Sequence, residues 1–191
     1  QYIVDRWLAV SSPLSKYTIQ QNAGSVTPPA GFTNYLGITS SSAYSPSGSD
    51  LHFIYQSIEG YNVADLQWGT TNAKNITLSF WVYSSLTGTF SAAVQNSGAS
   101  RSYPFTYSVS TANTWTQISV IIPGDTTGTW LTTNGTGISL NFNLGSGSSL
   151  LGTAGLWSGN WYIGATGANN IVANASATFY ITGVQLEQGP V

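Results

Sequence analysis

Residues 75–85, NITLSFWVYSS, alternate apolar and polar side chains without a break. In an extended strand successive side chains point to opposite faces. Ile76, Leu78, Phe80 and Val82 therefore share one face, and Thr77, Ser79, Trp81 and Tyr83 share the other. β-Branched and aromatic residues in this period specify a strand rather than a helix. The apolar face is too large to leave in water, so a second apolar surface has to cover it. The opposite face carries two large amphipathic rings, Trp81 and Tyr83, which either pack under a neighbouring loop or form a platform for a ligand.

The same reading extends along the chain. Residues 2–10 (YIVDRWLAV) read as a first strand with Asp5 and Arg6 inside it, and 16–20 as a short second one. Residues 27–48 form a long connection rich in Pro and Ser with Phe32, Tyr35 and Tyr44 embedded in it. A strand at 50–56 places Leu51, Phe53 and Tyr55 on one face. Residues 62–69 are the one helical segment expected, capped by Asn62, with Gly69 at its left-handed end. Strands follow at 88–94, 102–108, 115–122 and 137–144, with Pro104 marking an edge or a bulge. A second irregular region, 145–175, carries Trp157, Trp161 and Tyr162. In the last strand, 177–187, the phase slips between Ile181 and Val184. One extra residue at Thr182-Gly183 returns both halves to the core, which predicts a β-bulge with glycine at the permissive position. About ten short strands with turn signals every 8–12 residues predict an all-β antiparallel sandwich, a jelly roll with at most one short helix.

Composition narrows the chemistry. At 191 residues the chain fits one β domain, long enough to be stable without staples, and its 0 cysteines exclude disulfides and thiolate-bound metals. With 0 methionines it does not open on its own initiator, and residues 1–191 are expected to be a module of a longer protein. Four basic residues cannot form a stripe that neutralises a phosphate backbone, so nucleic acid is a poor partner. No apolar run approaches the ~20 residues of a membrane helix, and no stretch of the chain reads as a signal peptide. Polarity comes instead from hydroxyls and amides.

Catalytic material is sparse. His52 is the 1 histidine and lies in a predicted strand, the setting of a half-buried structural residue rather than a base. A glycosidase needs two carboxylates across a cleft. Of those present, Asp65 is accounted for by helix capping, Asp125 by a turn, and Glu59 as a buried acceptor for loop amides. The stretch at 145–147 lacks the third glycine and the helix of a phosphate loop. Binding fits better. Neutral sugars are held by a flat ring against the pyranose C–H face and by amide and hydroxyl hydrogen bonds. With 7 Trp and 11 Tyr and few charges, the chain suits that chemistry. The candidates are Tyr35, Tyr44, Trp130, Trp157, Trp161 and Tyr162, with Asn160, Asn169 and Asn170 nearby. The cluster at 157–162 is the leading site. Each of these residues has an alternative use as a loop anchor.

DRW at 5–7, ITLSFWVYSS at 76–85, NTWTQISVIIPGDTTGTW at 113–130 and FYITGVQLEQG at 179–189 resemble a widespread domain of bacteriophage virion proteins. That domain is found in tail fibres and other host-facing structural proteins, and the resemblance spans 2–189. It implies a galactose-binding-like jelly roll, similar to carbohydrate-binding modules, with no catalytic residues and no required cofactor. It also implies a calcium near the first and last strands, at Asp5 and Glu187. The function expected is a non-enzymatic tail-fibre or receptor-binding domain that recognises a host cell-surface glycan. Other virion subunits and a homotrimer are its expected assembly, and the virion surface its extracellular location. A purely structural virion domain, such as a capsid decoration, head fibre or fibre spacer, is the alternative. A polysaccharide-degrading tail spike is the third reading.

Overall fold

A computed structural model describes residues 2–4 and 6–189. The strands in chain order are β1 (Tyr2–Val4), β2 (Trp7–Ser12), β3 (Tyr17–Gln21), β4 (Leu36–Ser40), β5 (Leu51–Glu59) and β6 (Ile76–Ser84). They continue with β7 (Gly88–Gln95), β8 (Ser102–Val109), β9 (Thr116–Ile122), β10 (Thr136–Asn143), β11 (Leu151–Gly152), β12 (Gly164–Ala165) and β13 (Thr178–Gln188). A six-stranded sheet runs β1-β2-β5-β10-β7-β8 and a five-stranded sheet runs β3-β4-β13-β6-β9. All pairings within both sheets are antiparallel. The expected all-β jelly roll is what forms.

The alternating stretch is β6, held between β13 and β9. Ile76, Leu78, Phe80 and Val82 are at most 1% exposed. They meet Ile54, Phe90, Val94, Leu140 and Phe142 of the opposite sheet, and Phe80 sets its ring edge-on to Phe142 at 5.0 Å. Full burial of one such side chain stabilises by about 1.5–3 kcal/mol. On the outer face, Tyr83 stacks on Tyr180 at 5.2 Å, and Tyr180 on Tyr35 at 5.1 Å. Ala23 and Val26 of the preceding loop close over this cluster, so Tyr83 packs under a loop rather than serving as a platform.

The bulge in β13 lies where the phase slip put it. Thr182 pairs with Trp81 and Gln185 with Ser79, so one residue is extra on β13. Gly183 takes φ +61, and a Cβ there would meet the Phe32 ring at 2.4 Å. Pro104 lies in β8, an edge strand.

Other expectations are corrected. Residues 2–10 are not one strand: the chain reverses between Val4 and Trp7, which pair, and Arg6 takes φ +68. The connection at 27–48 contains β4, which is buried along nearly its whole length and so shows no alternation. The helix at 62–69 is replaced by 3-10 turns, Gly60–Asn62 and Ala64–Leu66, and Asn62 makes no side-chain cap. So short a segment cannot repay helix nucleation. It is fixed instead by burial of Leu66 and Trp68 in the core. Glu59 is exposed rather than buried.

Candidate functional site

Along β5 the side chains alternate across the six-stranded sheet. His52 and Ile54 point inward and are fully buried; Leu51, Phe53, Tyr55 and Ser57 point outward. Cross-strand pairing sets the outward residues side by side. Val10 faces Phe53, Asn141 faces both Tyr55 and Ala93, and Ser139 faces both Ser57 and Gln95. The segment after β10 folds back over part of this face. Leu150 and Ile163 pack on Phe53, and the short parallel pair β11–β12 clasps the segment shut. What stays open is a groove of about 420 Å³. The outward residues of β5 and β10 form its floor, the turn at Asn96, Ser97 and Ala99 lines it, and Trp161 stands beside it, 38% exposed.

The rim is pinned by hydrogen bonds. Gln95 Oε1 accepts from Trp161 Nε1 at 3.1 Å, while Gln95 Nε2 donates to the Tyr162 carbonyl at 2.6 Å. Ser102 Oγ donates to the Asn160 carbonyl at 2.7 Å and accepts from the Tyr162 amide at 3.2 Å. Ser102 and Ser158 exchange backbone hydrogen bonds of 3.0 and 2.9 Å. The Asn96 side chain caps its own turn, accepting from the amides of Ser100 and Arg101 at 3.0 Å. No charged side chain is among the lining residues. Rings, amides and hydroxyls on a concave surface can stack a flat apolar face and bond neutral hydroxyls.

The predicted site residues divide. Trp161 flanks the groove. Trp157 and Tyr162, from the same loop, line a different hollow of about 310 Å³ with Leu151 and Leu156. Asn160 is exposed and donates to the Tyr162 hydroxyl at 3.2 Å. Trp130 and Trp157 join Trp68 in an edge-to-face triad with centroids 4.6 to 5.6 Å apart, so they are anchors of the domain. Tyr35 is 3% exposed inside the outer aromatic cluster. Tyr44 is held by a 2.6 Å hydrogen bond to Asp50 and lies 4.2 Å under the Lys16 ammonium. For Tyr35, Tyr44 and Trp130 the loop-anchor use prevails.

No protein-family model matches the chain, and no curated protein matches it in sequence. Solved structures do match. A candidate sugar-binding protein from Bacteroides thetaiotaomicron superposes with a TM-score of 0.53 at 11% identity, over 96% of this chain and 87% of that one. The enzymatically active domain of tailspike protein 4 from bacteriophage CBA120 gives 0.52 at 11% identity, over 97% of this chain. This chain spans only 20% of that tailspike chain. A family 11 carbohydrate-binding module from Clostridium thermocellum aligns at 0.45 and 16% identity, over 97% of this chain and 89% of that one. The first two share this chain's fold.

Several groups that shape the site carried no signal in the sequence reading. Gln95 and Asn141 lie in strands, and nothing local says which sheet face stays open. Arg101 and Asp125 form a bidentate pair at 2.7 Å, with side chains 17% and 2% exposed. Arg101 also lies 5.8 Å over the Trp157 ring, and Asp125 accepts from the Thr127 amide and from Trp130 Nε1. Burial raises the Asp125 pKa, but the guanidinium and the Thr127 amide outweigh that and hold it below the ordinary carboxylate value. Asp125 is thus far more than a turn residue. For the expected calcium, Asp5 lies outside the described residues, and Glu187 stands exposed on β13. Among the described residues no group of three or more His, Cys, Asp or Glu side chains could hold a metal ion.

Proposed function

We propose that this chain is a non-catalytic module of a phage virion protein, and that its groove holds a neutral glycan of the host cell surface. One observation carries the reading: a concave sheet face flanked by an exposed tryptophan, lined by Gln95, Asn96, Asn141, Ser139 and Tyr55, with no charge. A pyranose C–H face rests on the Trp161 indole, and its hydroxyls exchange hydrogen bonds with the Ser57, Ser97, Ser139 and Tyr55 hydroxyls, each contributing about 0.5–1.5 kcal/mol net, while the buried amides hold the groove in shape. Because Gln95 holds the indole N–H, the ring is oriented before a ligand arrives, which lowers the entropic cost of binding. The fold shared with a candidate sugar-binding protein supports the ligand class. The fold shared with part of a phage tailspike, together with the four sequence motifs, supports the virion surface as its extracellular location and other virion subunits as neighbours.

A glycan array followed by calorimetry on the best neutral oligosaccharide tests this. Trp161→Ala is expected to weaken binding about tenfold or more, since truncating an aromatic contact costs about 1–3 kcal/mol, with a modest loss of thermal stability because Gln95 Oε1 loses its donor, and with the fold retained by circular dichroism. If the intact assembly binds neither glycans nor host cells, the adhesive role is wrong. The second reading, a purely structural virion domain, draws on the internal use of Tyr35, Trp130 and Trp157. It would show as a groove covered by a neighbouring chain in the assembled particle.

A further inference from the structure

β5 serves both of its faces. Tyr55 and Ser57 point out to the groove, so Gln56 between them points in, in phase with the fully buried Ile54. On the opposite sheet β3 does the same. Tyr17 and Ile19 pack in the core, and the next position in that phase is Gln21. Each sheet thus places a carboxamide where the pattern calls for an apolar side chain. Polar groups are costly in a closed core, and here the sheets do not close. Gln21 and Gln56 line a cavity of about 430 Å³ where β3 ends and β2 and β4 begin. It is as large as the groove and shares no lining residue with it. Its floor is apolar: Trp7, Leu36 and Ile181 are at most 9% exposed and belong to the core cluster. The β13 bulge, Thr182 and Gly183, forms a wall. Thr182 Oγ1 donates to the Asn34 carbonyl at 2.7 Å, and Asn34 Oδ1 accepts from Asn22 Nδ2 at 2.9 Å, so that wall is held in place by the chain itself. Bulges recur beside binding sites because they re-aim the strand that carries them.

We infer that this cavity is a second sugar site, which takes a single neutral pyranose ring. A carboxamide offers a donor and an acceptor side by side, and a pair of neighbouring sugar hydroxyls offers the complement. Gln21 supplies that pairing. Gln56, engaged within the chain, forms the facing wall. The Thr182 hydroxyl has committed its hydrogen to Asn34 and keeps its oxygen as an acceptor for a further sugar hydroxyl. The Trp7, Leu36 and Ile181 floor receives the C–H face of the ring. The volume lies within the ~300–1,000 Å³ of small-molecule pockets. Because the two sheets bound the cavity on opposite sides, it suits the end of a glycan, whereas the groove on the outer sheet face suits a stretch along one. The two sites stand back to back on β5, whose successive residues serve them in turn.

Nitrogen–proton correlation NMR on the full chain, titrated in turn with D-glucose, D-galactose, D-mannose and N-acetyl-D-glucosamine, tests the inference. At least one of these sugars is expected to move the Gly183 and Val184 amide signals and the Gln21 side-chain signals saturably at millimolar concentration. Trp161→Ala is expected to leave that response unchanged, which separates it from the groove. Gln21 is exposed, so Gln21→Leu keeps the fold, which circular dichroism verifies. That variant is expected to weaken the response about two- to tenfold, the effect of losing a hydrogen bond, and to leave oligosaccharide binding in the groove intact. Absence of a saturable shift at 183–184 with all of these sugars would overturn the second site. So would a response that disappears in Trp161→Ala, or one that Gln21→Leu leaves unchanged.

Discussion

Arg101 and Asp125 illustrate what single residues contribute here. A carboxylate 2% exposed is tolerable only because a guanidinium chelates it. Arg101→Met is therefore expected to cost about 3–5 kcal/mol in urea denaturation at neutral pH, by leaving an uncompensated buried charge. The folded Asp125 pKa is depressed, so its stabilising effect is present above the ordinary value of 3.8 and is lost as pH falls through the folded value. His52 acts at higher pH. Its ring is 0% exposed, Nδ1 lies 3.2 Å from Ser11 Oγ, and Nε2 has no partner among the described residues. Burial lowers its pKa below 6.5, with Asp50 opposing and Lys16 reinforcing the shift. The unfolded chain then binds the proton first, so stability is expected to fall as pH drops below about 6.5. A melting series from pH 8 to 5 checks this, and His52→Gln is expected to flatten that slope. The sequence identified His52 as structural but gave no hint of the ion pair, whose members are 24 residues apart.

At the scale of elements, the bulge in β13 is the most exacting feature. Gly183→Ala must place a Cβ at φ +61 and against the Phe32 ring. It is expected to destabilise the protein by about 1–2 kcal/mol from backbone strain alone, read as a lower melting temperature with an unchanged spectrum. The glycine was legible because Phe179 and Ile181, then Val184 and Leu186, alternate on either side of it. Strands β6, β9 and β10 were legible for the same reason: apolar side chains on the core face alternate with polar or amphipathic ones on the other, so period 2 is written into the residues. β11 and β12 were not, because two residues cannot display a period, and β4 was not, because it is buried along nearly its whole length and shows no alternation. The turns at 60–66 imitate a helix locally and are held by tertiary burial of Leu66 and Trp68 instead. Trp161 was legible as a ring in an irregular loop. The groove floor was not, since β5 carries large side chains on both faces and only the folded-back segment decides which of them meet solvent.

For the molecule as a whole, scarcity of charge is the governing property. With 5% charged residues and none in the groove, affinity for a neutral oligosaccharide is expected to be unchanged between low and high salt, measured by calorimetry. Acidic glycans of the same length are expected to bind more weakly, since nothing there repays desolvation of their carboxylates. The clasp between β11 and β12 has a consequence of its own. Residues 153–163 leave and return at this clasp, yet between its ends Trp157 packs on Trp68 and Trp130 and Ser158 bridges to Ser102. The loop that presents Trp161 is thus stitched to the sandwich along its length, and only side chains that turn away from the stitches, such as Leu156 at 61% exposure, can be exchanged without disturbing what lies beneath.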